Sequence, residues 1–133
     1  MSNARRPANT GRSYRAGYLK SPEWFARRDR WFRAHARTGI PLTCQACGHP
    51  ATSAELELHH TDYHGVYKDG GRWHAREPHG DLVPLNPGCH ELLHRLIDRD
   101  AVLSRGRDRR TASALALDRL RAKLNELDGV PHE

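Results

Sequence analysis

Residues 81–94 read DLVPLNPGCHELLH, and no other stretch restricts the fold as tightly. A short apolar run ends at an Asn-Pro-Gly turn, and a helical pattern opens on Cys89 and His90. His90 and His94 stand at i and i+4, on one helical face, so their imidazoles can converge on one cation. Upstream, AELELHH alternates Leu56 and Leu58 with Glu55 and Glu57, the pattern of a half-buried strand that ends on His59 and His60. Neighbouring strand residues point to opposite faces. A strand packed across the helix can therefore add His59 to the same ion, while His60 points elsewhere and stays free as a base for a water.

Composition agrees with a domain that needs such help. The 133 residues fit one domain, yet only 37% are hydrophobic and the mean hydropathy is −0.84. So thin an apolar supply suggests a small core supported by metal. A net charge of +6, carried mostly by arginine, points to a polyanionic partner. Three cysteines are an odd number, and two form Cys44-x-x-Cys47. No apolar run is long enough to span a membrane, and the first residues lack the apolar core of a signal peptide. A cytoplasmic protein with metal-binding or free thiols is expected, not a disulfide framework.

Along the chain, residues 1–18 read as a flexible basic tail and 19–133 as a single domain. A helix is expected over about 22–37, with Ser21 as N-cap, Pro22 at the first position and Glu23 in the first turn. Trp24, Arg28, Trp31 and His35 form its apolar stripe, with Phe25 and Phe32 beside it. Arg27, Arg30, Arg33 and Arg37 occupy the remainder, either as contacts to a DNA backbone or as solvated charges. The segment GIPLTCQACGHPATS reads as a turn-rich knuckle. Residues 61–80 read as a loop, with Glu77 partnering a loop arginine or having no special role. DLVPL is a second strand, with Pro84 marking an edge or an end. After CHELLHRLIDRD and the basic connector SRGRDRR, a last helix is expected over about 111–127. Its apolar stripe is Leu117, Leu120, Leu124 and Leu127. The fold class is α+β: a small core of two strands and a helix, flanked by N- and C-terminal helices.

Taken in order, CQAC … LELHHTDY … DLVPLNPGCHELLH resembles the HNH endonuclease family over residues 44–94. The resemblance implies a ββα-metal core over 44–99 that hydrolyses phosphodiester bonds of DNA, double-stranded by expectation. It implies His60 as general base, and His59, His90 and His94 as ligands of a divalent Mg, Mn, Ni or Zn ion. The family's central residue, usually Asn, falls on Asp81, implying that this side chain holds the base-bearing loop or joins the metal. Many members also carry a structural zinc on two Cys-x-x-Cys pairs. Cys44, Cys47 and Cys89 match three of those ligands, but the fourth position is Asn86. Either His49 substitutes, water fills the place, or the zinc is lost.

Two other readings stand beside the nuclease. One is a catalytically inactive, zinc-stabilised nucleic-acid-binding module, which the departures at Asp81 and Asn86 favour and the intact histidine set opposes. The other is an interaction domain with a single structural Cys/His metal site.

Overall fold

A computed structural model describes residues 15–99 and 108–129. The chain is α+β, with two small antiparallel sheets set among helices. Helix α1 spans Pro22–Arg37 and begins as its sequence dictates: Ser21 Oγ accepts from Trp24 N at 3.1 Å, and Pro22 has no N–H to lose there. Trp24 and Trp31 are buried, whereas Phe25 is 54% exposed and stands off the apolar stripe.

Strands β1 (Glu57–His60) and β4 (Leu82–Leu85) pair antiparallel, from Glu57 opposite Leu85 to His60 opposite Leu82. Between them runs a second pair, β2 (Val66–Asp69) and β3 (Arg72–Ala75). The stretch expected as a plain loop is thus a hairpin. Its turn is Gly70-Gly71 with φ of 59° and 77°, left-handed values that a two-residue hairpin turn requires and glycine reaches without strain. A 3₁₀ turn, His79–Asp81, leads into β4.

Helix α2 spans Pro87–Arg99, so Pro87 and Gly88 belong to its first turn and do not form a turn ahead of it. Asn86 caps this end: its Oδ1 accepts from Cys89 N at 2.8 Å. Helix α3, Arg109–Gly129, packs against α2. No helix among the described residues is long and apolar enough to cross a membrane.

Two apolar clusters flank the β1–β4 pair. One gathers Cys44, Leu56, Leu85, Cys89, Leu93, Ala116 and Leu120, joining the knuckle to α2 and α3. The other gathers Tyr18, Trp24, Trp31, Leu58, Val66 and Leu82 beneath α1 and the hairpin. Residues 15–19 are helical and Tyr18 is wholly buried, so the expected tail ends sooner than residue 18. The rest of that tail, 1–14, and most of the basic connector lie outside the described residues. Arg28 fastens α1 to the segment before β1, its guanidinium donating to the carbonyls of Ser53 and Leu56 at 2.7 and 2.9 Å.

At Gly65 the backbone of residues 76 and 77 comes close. Arg76 N donates to the Gly65 carbonyl at 2.9 Å, and a Cβ at 65 would lie 2.5 Å from Arg76 O. Gly65→Ala is expected to cost about 1–3 kcal/mol through this overpacking, read as a lower denaturant midpoint at an unchanged slope.

Candidate functional site

Three imidazoles meet where the end of β1 crosses the first turns of α2. His59 Nδ1 lies 3.3 Å from His90 Nε2, and His94 Nε2 lies 3.1 Å from that same atom. The donor atoms all fall within 4.8 Å of one another, so the group can hold a metal ion. Their outer nitrogens are fixed by neighbours. His90 Nδ1 donates to Glu57 Oε1 at 2.8 Å, and His59 Nε2 meets Ser113 Oγ of α3 at 3.1 Å. With its Nδ1 proton committed to Glu57, His90 presents a lone pair inward, towards two further ring nitrogens. One cation satisfies all three. Burial, then the neighbouring imidazoles His94 and His90, pushes His59 down to about 2. Burial and His90 push His94 down to about 4. His59 and His94 are therefore neutral near pH 7, the form that binds metal.

His60 faces the other way, as strand alternation requires. Its Nε2 donates to Glu77 Oε2 at 2.7 Å, and Tyr18 donates its hydroxyl to the same oxygen at 2.7 Å. Glu77 is 2% exposed. Burial alone would raise its pKa, but the bonds from His60 and Tyr18 outweigh that and hold it below the ordinary carboxylate value. An ionised Glu77 fixes the tautomer of His60, leaving Nδ1 as the acceptor nitrogen. Burial lowers the pKa of His60 against the opposing pull of Glu77. The ring stacks on Tyr63, centroids 4.2 Å apart, and Arg109 Nε donates to the His60 carbonyl at 3.0 Å. Arg109 and Arg15 each place a guanidinium 5.0 Å from the centre of the Tyr63 ring. A cavity of about 250 Å³ is lined by His60, His90, His94, Tyr63, Arg15 and Arg109.

The second group is Cys44, Cys47 and Cys89, whose sulfurs also lie within 4.8 Å of one another and can hold a metal ion. The knuckle is closed by a bridge between Thr43 and Pro50 and tied to β4 by Gln45 N donating to Pro84 O at 2.9 Å. Burial works against ionising Cys44, but backbone N–H groups of Cys47, Asn86 and Ala46 outweigh it and lower its pKa. Cys89 is pushed up to about 12 by burial and then by the charge of Cys44. Three thiolates cannot share this space without a counter-charge, and a cation supplies one.

Several expected roles land elsewhere. The carboxylate of Asp81 stands outside the imidazole group and takes Arg110 at 2.9 and 3.0 Å. Its backbone carbonyl accepts from Thr61 N at 2.8 Å, so it holds the chain just beyond His60. Arg27 is buried and donates Nε and a terminal nitrogen to the Glu77 carbonyl at 3.2 and 3.0 Å, which removes it from any outward-facing surface. Arg30, Arg33 and Arg37 are exposed. Neither His49 nor any other His, Asp or Glu among the described residues joins the thiol group. Glu77, Tyr18, Ser113, Arg15 and Arg109 are site residues that sequence reasoning missed. Only the arginines carried a signal, Arg15 within the basic segment 1–18 and Arg109 as one of several arginines in SRGRDRR.

No protein-family model matches the chain, and no curated protein or solved structure matches it.

Metal analysis of purified variants should separate the two groups. Glu57→Gln is expected to weaken metal affinity at the imidazoles by about 10–100-fold and leave the thiol group loaded. Cys89→Ser is expected to do the reverse.

Proposed function

We propose that the chain is a metal-dependent nuclease of the HNH type, hydrolysing phosphodiester bonds of DNA. The carrying observation is the cavity that brings His60, His90, His94, Arg15 and Arg109 to one place. A general base, a candidate metal group and fixed positive charge are the parts this hydrolysis needs. The resemblance of residues 44–94 to HNH endonucleases supplies the same assignment from the motif order.

In this mechanism His60 accepts a proton from the attacking water at Nδ1. Glu77 positions that ring by holding the Nε2 proton, and the stack on Tyr63 limits its rotation. A divalent ion held by His59 Nδ1, His90 Nε2 and His94 Nε2 would act as Lewis acid for the phosphate and the leaving oxygen. Arg15 and Arg109 bind the phosphate, and exposed Arg30, Arg33 and Arg37 take the DNA backbone. Asp81 serves as a tie, through Arg110 and Thr61, for the segment that follows the base.

A nucleic-acid-binding module without catalysis is the second reading. Asp81 favours it, because its carboxylate is engaged by Arg110 and is not part of the metal group.

Supercoiled plasmid incubated with chelator, Mg, Mn, Ni or Zn tests the choice. Wild-type protein is expected to nick with at least one metal and not with chelator. His60→Ala is expected to lose about 10²–10⁴-fold in rate, with DNA retention in a gel shift unchanged. Retention without nicking in every metal selects the binding module, and undiminished activity in His60→Ala removes the assigned base.

A further inference from the structure

The thiol group departs from a closed four-ligand site at one position, and the structure shows what Asn86 does there instead. Its Oδ1 is turned to the backbone, accepting from Cys89 N at 2.8 Å as the cap of α2. Its Nδ2 donates to Cys47 Sγ at 3.3 Å, and its backbone N donates to Cys44 Sγ at 3.4 Å. The amide thus presents donors to the sulfurs and no lone pair to an ion. Flipping it to offer oxygen would place an NH₂ group against the Cys89 N–H and break the cap. No other His, Cys, Asp or Glu among the described residues reaches the group.

A borderline-soft ion on three thiolates prefers a fourth ligand, and a soft donor suits it best. Access exists. A surface cavity of about 310 Å³ is lined by Cys44 and Cys47 together with Arg121 and Asn125 of α3. Arg121 is anchored there, its Nε donating to Gln45 O at 2.6 Å and its Nη1 lying 3.7 Å from Asp118 Oδ1, so a guanidinium shared with one carboxylate lines the same cavity as Cys44 and Cys47.

We propose that the metal ion on Cys44, Cys47 and Cys89 keeps one coordination position open to an exogenous low-molecular-weight thiol. The thiol enters through the cavity beside Arg121 and binds as thiolate. Its proton passes to solvent as sulfur joins the ion, and no oxidant or reductant is needed. Open positions distinguish reactive metal sites from purely structural ones. The knuckle is therefore a ligand-responsive site, independent of whether the imidazole group cleaves DNA.

Cobalt(II) is the probe, because sulfur ligation gives a thiolate-to-metal charge-transfer band. The same titration of Cys44→Ser/Cys47→Ser, whose cobalt sits on the imidazoles, measures any band formed there by added thiol, and that band is subtracted. Metal-stripped full-length protein is loaded with cobalt and titrated with β-mercaptoethanol. The wild-type band is expected to begin at the intensity of three thiolates, rise saturably in the ratio of four to three, and shift with it. Asn86→Cys is expected to begin at the higher intensity and not respond. A wild-type band that is already at the four-sulfur level, that fails to respond to saturating thiol, or that never forms overturns the proposal. The wild-type titration decides the matter even where Asn86→Cys, lacking the cap, does not fold. Plasmid nicking is not the readout, so failure here leaves the nuclease reading standing.

Discussion

The pairing of β1 with β4, and the direct passage of β4 into α2 through the Asn86 cap, is the constraint on which the rest depends. Because Glu57 lies opposite Leu85 and α2 starts at Pro87, the helix begins beside the start of β1, where His90 meets Glu57, and it runs back over the strand so that His90 and His94 reach His59. Strand alternation then sorts His59 towards α2 and α3, and His60 towards α1. The helix start sorts Cys89 towards the knuckle and His90 towards His59. Two metal-competent groups arise from adjacent residues at one junction, and no disulfide helps, since Cys44, Cys47 and Cys89 are all free.

The polar interior follows from the same economy. A chain with so few apolar residues buries Glu77, His59, His60, Asp81 and Ser113 within its described part. Their polar atoms are largely paired: His60 and Tyr18 hold Glu77 Oε2, Arg110 takes Asp81, and Ser113 meets His59, while Glu77 Oε1 has no hydrogen bond and only the Arg27 guanidinium at 3.9 Å. Buried polar groups cost free energy unless paired, and a network this connected fixes one arrangement of rings more sharply than alkyl packing would. Trp24, Tyr18 and Tyr63 close around His60, so the ring has little freedom to leave its orientation.

Much of this was legible in the residues. Ser21-Pro22 fixed the start of α1, and the i, i+4 spacing of His90 and His94 with the strand pattern before His59 brought the imidazoles together. The hairpin was missed because its strands are four residues each and alternate weakly, although Gly70-Gly71 carried the turn signal. Arg27 sits three residues after Trp24 and four before Trp31, so its burial could have been read from the helical face. Asn86 followed by Pro87 is an N-cap signature, masked by the neighbouring cysteine, which invites comparison with a zinc ligand pair. Glu77 had no local signal at all. Its partners lie 17 and 59 residues away, and only the folded chain brings an isolated loop acid beneath a histidine.

The brevity of β1 carries a consequence for how such a chain can change. Four residues run from Glu57 to His60 with both faces in use, so the strand has no slack in which to absorb an added or deleted residue. A shift by one would exchange the surroundings of His59 and His60, moving the inward ring to the acid beneath α1 and the other to the helices. The Gly70-Gly71 tip, open on all sides, can lengthen without disturbing either group. Length variation in descendants of this sequence should therefore gather at the hairpin tip and avoid the strand before the paired histidines.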